Sequence, residues 1–323
     1  MRILKDILLG LITGILVILL AGNLIPGVSD IYREYLENVK TDIREWIGKE
    51  SVEKTGTDFT RLFANGTKIG NAENFHAKDS GITGDGTVFE ATLNPYYEML
   101  DNNEKKLYAQ MYANAETVSA SFAPVVQVSS DQLETVFEAV FYDHPELFWL
   151  DTGYSYQYTN NGTIVEVDMK YNETASDLNQ SKAAFDQAAA EIIQGAQQYA
   201  DPVDQERYVH DAIIDRTDYD LNASLNQSAY SALVNHATVC AGYAKAFQYI
   251  MIQLGVPTYY VTGTSENEDH AWNIVAINGG YANVDLTWDD TSGERYHFFN
   301  LSDAAFNSTH TRQGLSVSLP SCN

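Results

Sequence analysis

The run HAWNIVAINGGYANVDLTW, residues 270–288, restricts this chain more than any other stretch. Asn-Gly between β-branched and aromatic residues predicts a two-residue hairpin turn, since both turn residues need positive φ. With Asn278-Gly279 as the turn, Ile277 lies opposite Gly280, Trp272 opposite Asp285, and His270 opposite Thr287. Side chains alternate faces along a strand. His270 and Asp285 therefore share a face as diagonal neighbours, roughly 7–8 Å apart at the backbone. A three-residue turn would send them to opposite faces.

Upstream, TVCAGYAKAFQYIMIQLGVP carries Cys240, Ala244, Phe247, Met251 and Leu254 on one apolar helical stripe. Gly255 and Pro257 end the helix in the expected way. Thr238 is the expected N-cap, which puts Cys240 in the first turn. There the free N–H groups and the helix dipole stabilise a thiolate. The helix alone leaves a second reading open, in which Cys240 is a small buried hydrophobe. The strand TYYVTG and the acidic loop TSENED link this helix to the hairpin. A helix packed on that sheet would bring nucleophile, base and orienting carboxylate together.

The segments VCAGYAKAFQYIMIQLGVPTYYVTG, HAWNIVAI and YANVDLTWDD together resemble the core of the transglutaminase-like superfamily. Cys240, His270 and Asp285 match its catalytic triad. Tyr243-Ala244 and Ala271-Trp272-Asn273 match the surroundings, with Trp272 and Trp288 as site neighbours. Thr238 and Leu286 depart from the Gly and Pro common in relatives. The motif-bearing part covers residues 226–290. The resemblance implies an α+β fold with a papain-like core and a Cys-bearing helix on an antiparallel sheet. The sequence has no zinc-ligand spacing and no phosphate-binding glycine loop, so no cofactor or metal is expected. The resemblance also implies an upstream side chain at the oxyanion hole. Gln227 is the candidate by type and Tyr230 by position, beside the backbone N–H of Cys240. The implied activity is thiol acyl transfer from carboxamides of a protein or peptide, cell-wall-associated material included, through a Cys thioester. The alternatives are a cysteine peptidase or amidase using the same triad, and a catalytically silent surface binding module.

Elsewhere the sequence speaks of place more than of chemistry. Between Asp6 and Asp30 no residue is charged, and residues 7–25 are long and apolar enough to span a bilayer. Arg2 and Lys5 keep the short N-terminal end inside, so the rest is expected outside the cytoplasm on a single-pass anchor. A signal-peptide cut after Ala21 would leave bulky Leu19 where a small residue is preferred. The expected organisation is an anchor at 1–29, a stalk or linker at 30–92, a helical and hairpin accessory region at 93–175, and the catalytic domain at 176–323. Within 93–175, a capping box at Ser129 and Gln132 opens a helix, and Asn161-Gly162 turns a hairpin. Pro202 suits the first turn of a later helix.

A formal charge of −25, from 44 acids against 19 bases, excludes a nucleic-acid partner. Asp289, Asp290 and Glu294 lack the spacing of a calcium loop. His144, His210 and His236 read as helix-end, helix-face and surface residues, and the tyrosine-rich stretches as core and sheet packing. Cys322, the only other cysteine, reads as an idle thiol on a mobile end. A disulfide to Cys240 is open on paper.

Overall fold

In the computed structural model, residues 65–71 and 80–323 are described. The proposed anchor and most of the 30–92 stalk lie outside them. Among the described residues no helix is long and apolar enough to cross a membrane. One stretch of the expected linker is a strand, β1 (Asn65–Asn71).

Two helices open the stretch that follows residue 80. α1 (Pro95–Met99) starts on a proline. α2 (Asn102–Glu116) starts on a reciprocal capping box, Asp101 accepting from the Asn103 and Glu104 N–H groups and Glu104 accepting from Asp101 N–H. After β2 (Ser121–Phe122), α3 (Ser130–Asp143) begins on the expected box of Ser129 and Gln132 and ends at His144. The expected hairpin is β3 (Leu150–Tyr158) and β4 (Ile164–Tyr171). Its sheet runs β1-β3-β4-β2, with β1 parallel to β3. That parallel pairing is non-local and has no turn to announce it.

α4 (Leu178–Ala196) and α5 (Pro202–Ile214) follow, each capped by an aspartate, Asp177 and Asp201. The short strands β5 (Asp218–Tyr219) and β6 (Ala237–Thr238) pair in parallel and lead into α6 (Cys240–Gln253). The N-cap of α6 is Val239, with no side-chain cap; Thr238 instead donates its hydroxyl to Asn226 O at 2.9 Å. Gly255, at φ 81°, closes the helix as expected.

β7 (Thr258–Ser265), β8 (Glu268–Ile277) and β9 (Gly280–Val284) form antiparallel hairpins. The loop expected at TSENED is a tight turn with Glu266 and Asn267 both at positive φ. The second turn is Asn278-Gly279, at φ 54° and 76°, and Ile277 pairs with Gly280 as the sequence dictates. β9 is shorter than expected. It stops at Val284 because Asp285 caps a helix, α7 (Leu286–Thr291), so Thr287 is not a strand neighbour of His270. α8 (Asp303–Phe306) and β10 (His310–Arg312) complete the sheet in the order β10-β7-β8-β9.

α6 lies on β7 and β8. Asn273 of β8, fully buried, donates to Ala244 O of α6 at 2.9 Å and fixes helix against strand. One apolar core runs through both 93–175 and 176–323: Phe148 packs on Phe185, and Tyr142 on Tyr260.

Candidate active site

Cys240 is the first residue of α6. The capping residue Val239 offers the helix no side-chain acceptor, so its first N–H groups are not closed off by a cap. Gly242 lets this end sit tightly. A Cβ there would run into the Thr238 hydroxyl and come within 3.0 Å of Ser228 O. The 226–228 segment is thereby pressed against the start of α6.

His270 sits in β8 and Asp285 just beyond β9, on one face as the two-residue turn requires. His270 Nε2 donates to Asp285 Oδ2 at 2.7 Å. That leaves Nδ1 turned away from Asp285, and Cys240 is near enough to His270 for a thiolate there to favour the charged imidazolium. Cys240 and His270 are each 6% exposed and Asp285 is fully buried. Asp285 Oδ1 accepts from the Thr287 and Trp288 N–H groups at 3.0 and 3.2 Å, the first turn of α7. Burial alone would push Asp285 up. The His270 charge, its hydrogen bond and that of His310 outweigh it and hold the carboxyl below its ordinary range. Burial alone would likewise lower His270, yet Asp285 first, then Cys240, raise it to about 10.

Trp272 stacks near His270 at 6.1 Å and Trp288 meets it edge-on at 6.4 Å, so both expected neighbours are in place. Tyr230 is turned into an aromatic cluster, 5.0 Å from Phe148 and nearly parallel to Phe185. Gln227 donates to Asn226 Oδ1 at 3.2 Å, and its Oε1 is buried with no hydrogen-bond partner. The free atom of Gln227 is an acceptor while its donor serves Asn226, so these contacts favour neither candidate as an oxyanion donor.

Two residues near the triad escaped the sequence reading. Tyr219 in β5 is 42% exposed, and its hydroxyl is raised to about 12 by burial and then by Cys240 and Glu268. His310 in β10 donates Nε2–H to Asp285 Oδ2 at 3.0 Å. His270, Asp285 and His310 also form a cluster whose ligand-type atoms lie within 4.8 Å of one another. Nitrogen–oxygen separations of 2.7 and 3.0 Å are those of hydrogen bonds, and a metal seated about 2 Å from each atom would have to spread them.

The remaining candidates have other occupations. Asp289 holds His210 and the Phe298 N–H, Asp290 accepts from Tyr243, and Glu294 pairs with His297. His210 is fully buried, more deeply than a helix-face residue needs to be. His236 is exposed. Both cysteines are free thiols. Cys322 is not on a loose end: it is 2% exposed, its N–H donates to Asp303, and burial pushes its thiol up to about 12.

Residues 186–286 match the family model of the transglutaminase-like superfamily, and the chain carries a transglutaminase-like core over that segment. No curated protein matches it. Among solved structures, the chain is similar to a TGase at 16% identity, over 52% of this chain and 50% of that one, with a TM-score of 0.30. It is similar to a proposed cysteine protease from Cytophaga hutchinsonii at 17% identity, over 42% and 44%, with a TM-score of 0.32. The periplasmic domain of TgpA from Pseudomonas aeruginosa, bound to ethylmercury, matches at 15% identity over 42% and 63%, with a TM-score of 0.27. The chain thus spans less than two thirds of each of these structures, and at such scores they carry no argument about activity.

Proposed function

We propose that this protein is a cysteine acyltransferase acting on carboxamide groups of a protein or peptide. The observation that carries the reading is the buried His270–Asp285 hydrogen bond at 2.7 Å with Cys240, at the start of α6, close enough to act on the His270 charge. With its proton on His270, the Cys240 sulfur attacks the carbonyl carbon. A C–S bond forms and the carbonyl electrons move onto oxygen, toward the Cys240 N–H at the start of α6. Collapse breaks the C–N bond as His270 gives its proton to the departing ammonia or amine, leaving a thioester. An incoming amine then attacks, loses its proton to His270, and expels the thiolate, giving an isopeptide bond. Asp285 stays ionised throughout and keeps the Nε2–H of His270 pointed away from the sulfur.

Water in place of the amine would make the same triad a peptidase or amidase. The 6% exposure of Cys240 and of His270 supports transfer, because a site closed to water protects a thioester. The apolar stretch at residues 7–25 supports a single-pass anchor with the catalytic part outside the cytoplasm. The test is mass spectrometry of surface proteins from cells with the native chain and with Cys240→Ala. Isopeptide bonds that vanish in the variant support transfer; cleavage products that vanish in their place support hydrolysis. Identical profiles would remove both.

A further inference from the structure

We propose that His310 is a positioning residue for the catalytic pair, holding the Asp285 carboxylate still and lessening its pull on the His270 proton. This deepens the function proposed above and rests on it. The two oxygens of Asp285 are fully engaged. Oδ1 takes the two α7 N–H groups, and Oδ2 takes both imidazoles, His270 at 2.7 Å and His310 at 3.0 Å. Without His310, Oδ2 would face His270 alone. Its charge would be less dispersed and would hold the imidazolium proton more tightly, making His270 a poorer acid toward the leaving amine.

The setting of His310 singles out this one contact. The residue is 1% exposed, and its ring stacks on Phe306 at 4.0 Å with Trp272, Trp288 and Phe298 at 5.2–5.5 Å. Such a cage suits phenylalanine. A buried imidazole there needs a partner for its N–H, and besides the Thr309 hydroxyl on Nδ1 at 2.8 Å it has Asp285. The protein also anchors β10 firmly. Gly263 of β7 allows Thr311 O to approach where any Cβ would collide. Asp303 gathers Arg312 at 2.7 Å, Asn283 at 2.9 Å and the Cys322 N–H at 3.0 Å. The titratable and charged groups facing the His270–Asp285 pair are Cys240 from α6, Asp289 from α7, His310 from β10, and Tyr219 from β5.

The experiment is imidazole nitrogen NMR of the full chain and of the variants His310→Phe and His310→Gln, followed from mildly acidic to strongly alkaline pH. The native spectrum should show the His310 proton on Nε2. In His310→Phe the proton affinity of His270 should rise about tenfold, a shift of about one pH unit. His310→Gln can still donate an amide N–H to Oδ2 and should bring the titration most of the way back. A His270 titration unmoved in both folded variants would overturn the proposal, and so would a native His310 with bare Nε2. If neither variant folds, the native tautomer decides. Iodoacetamide labelling of the native chain separates the two readings. If Cys240 reacts no faster than Cys322, the proposed catalysis fails, while the NMR still reports whether His310 and His270 are coupled.

Discussion

Two regions of the molecule bury an aspartate beside a histidine, and they arrive at opposite results. Asp143, at the end of α3, accepts from the Tyr96 and Tyr97 N–H groups and from the Tyr108 hydroxyl. Its neighbour His144 turns to Tyr108 and Glu146. Burial then dominates and lifts Asp143 to about 7. Asp285 also accepts two N–H groups at the start of a helix, but its other oxygen receives two imidazoles, and its carboxyl is held low. Both sites are equally dry. What differs is whether a group able to carry positive charge donates directly to the carboxylate. Asp143 ties α1, α2 and α3 together; Asp285 is built to keep a charge.

The sharpest way to break this comparison is to neutralise both residues. Asp285→Asn should lower turnover on the order of 10⁴-fold, because the amide can hold His270 in the wrong tautomer. Asp143→Asn should leave steady-state rates within about twofold, since a distant structural acceptor lies outside the reacting groups. Equal losses in the two would erase the distinction.

Stability against pH separates them next. A carboxyl raised in the fold contributes stability present below its unfolded value and lost as pH climbs through the folded one. For Asp143 that window runs from its ordinary 3.8 to about 7. Between those values the native chain should lose up to about 4 kcal/mol from this group. Denaturant melts of Asp143→Asn should show a flatter slope there. Asp285 has the opposite sign, and its contribution disappears only as pH falls below the ordinary carboxylate range.

A smaller effect tests how the second imidazole is delivered. Gly263→Ala forces β10 off β7 and should destabilise the fold by about 1–3 kcal/mol, read from chemical denaturation, with a fall in rate as His310 moves. The smallest change belongs to the Asp143 side of the molecule. Ser129→Ala removes the cap of α3 and should lower the unfolding free energy by about 1 kcal/mol with no effect on rate.

How much of this was legible follows from which interactions are local. The Asn278-Gly279 turn needs only its own two residues to set the register, and that register places His270 and Asp285 on one face. The capping box at Ser129 and the closing Gly255 are local in the same sense. The N-terminus of α6 was misjudged by one residue because Thr238 found a better acceptor in Asn226 O, twelve residues back. Asp285 read as a strand residue because a lone Asp gives no sign that its carboxylate will start a helix. His310 was invisible for a deeper reason. It reaches Asp285 only through an edge strand laid on β7, and nothing in NSTHTRQG announces that pairing. Cys322 looked loose because burial by Asp303 and Arg312 depends on the same distant contacts.

The central claim is that Cys240 is a nucleophile set up by His270 and Asp285, while Cys322 is merely buried. A thiol-reactive amide mimic, applied to the folded full chain at neutral pH and mapped by peptide mass spectrometry, tests it directly. The account predicts rapid labelling of Cys240, strongly slowed in Asp285→Asn and unchanged in Asp143→Asn, with Cys322 labelled only on unfolding. Labelling of Cys240 as slow as that of Cys322, or unaffected by Asp285→Asn, would contradict it.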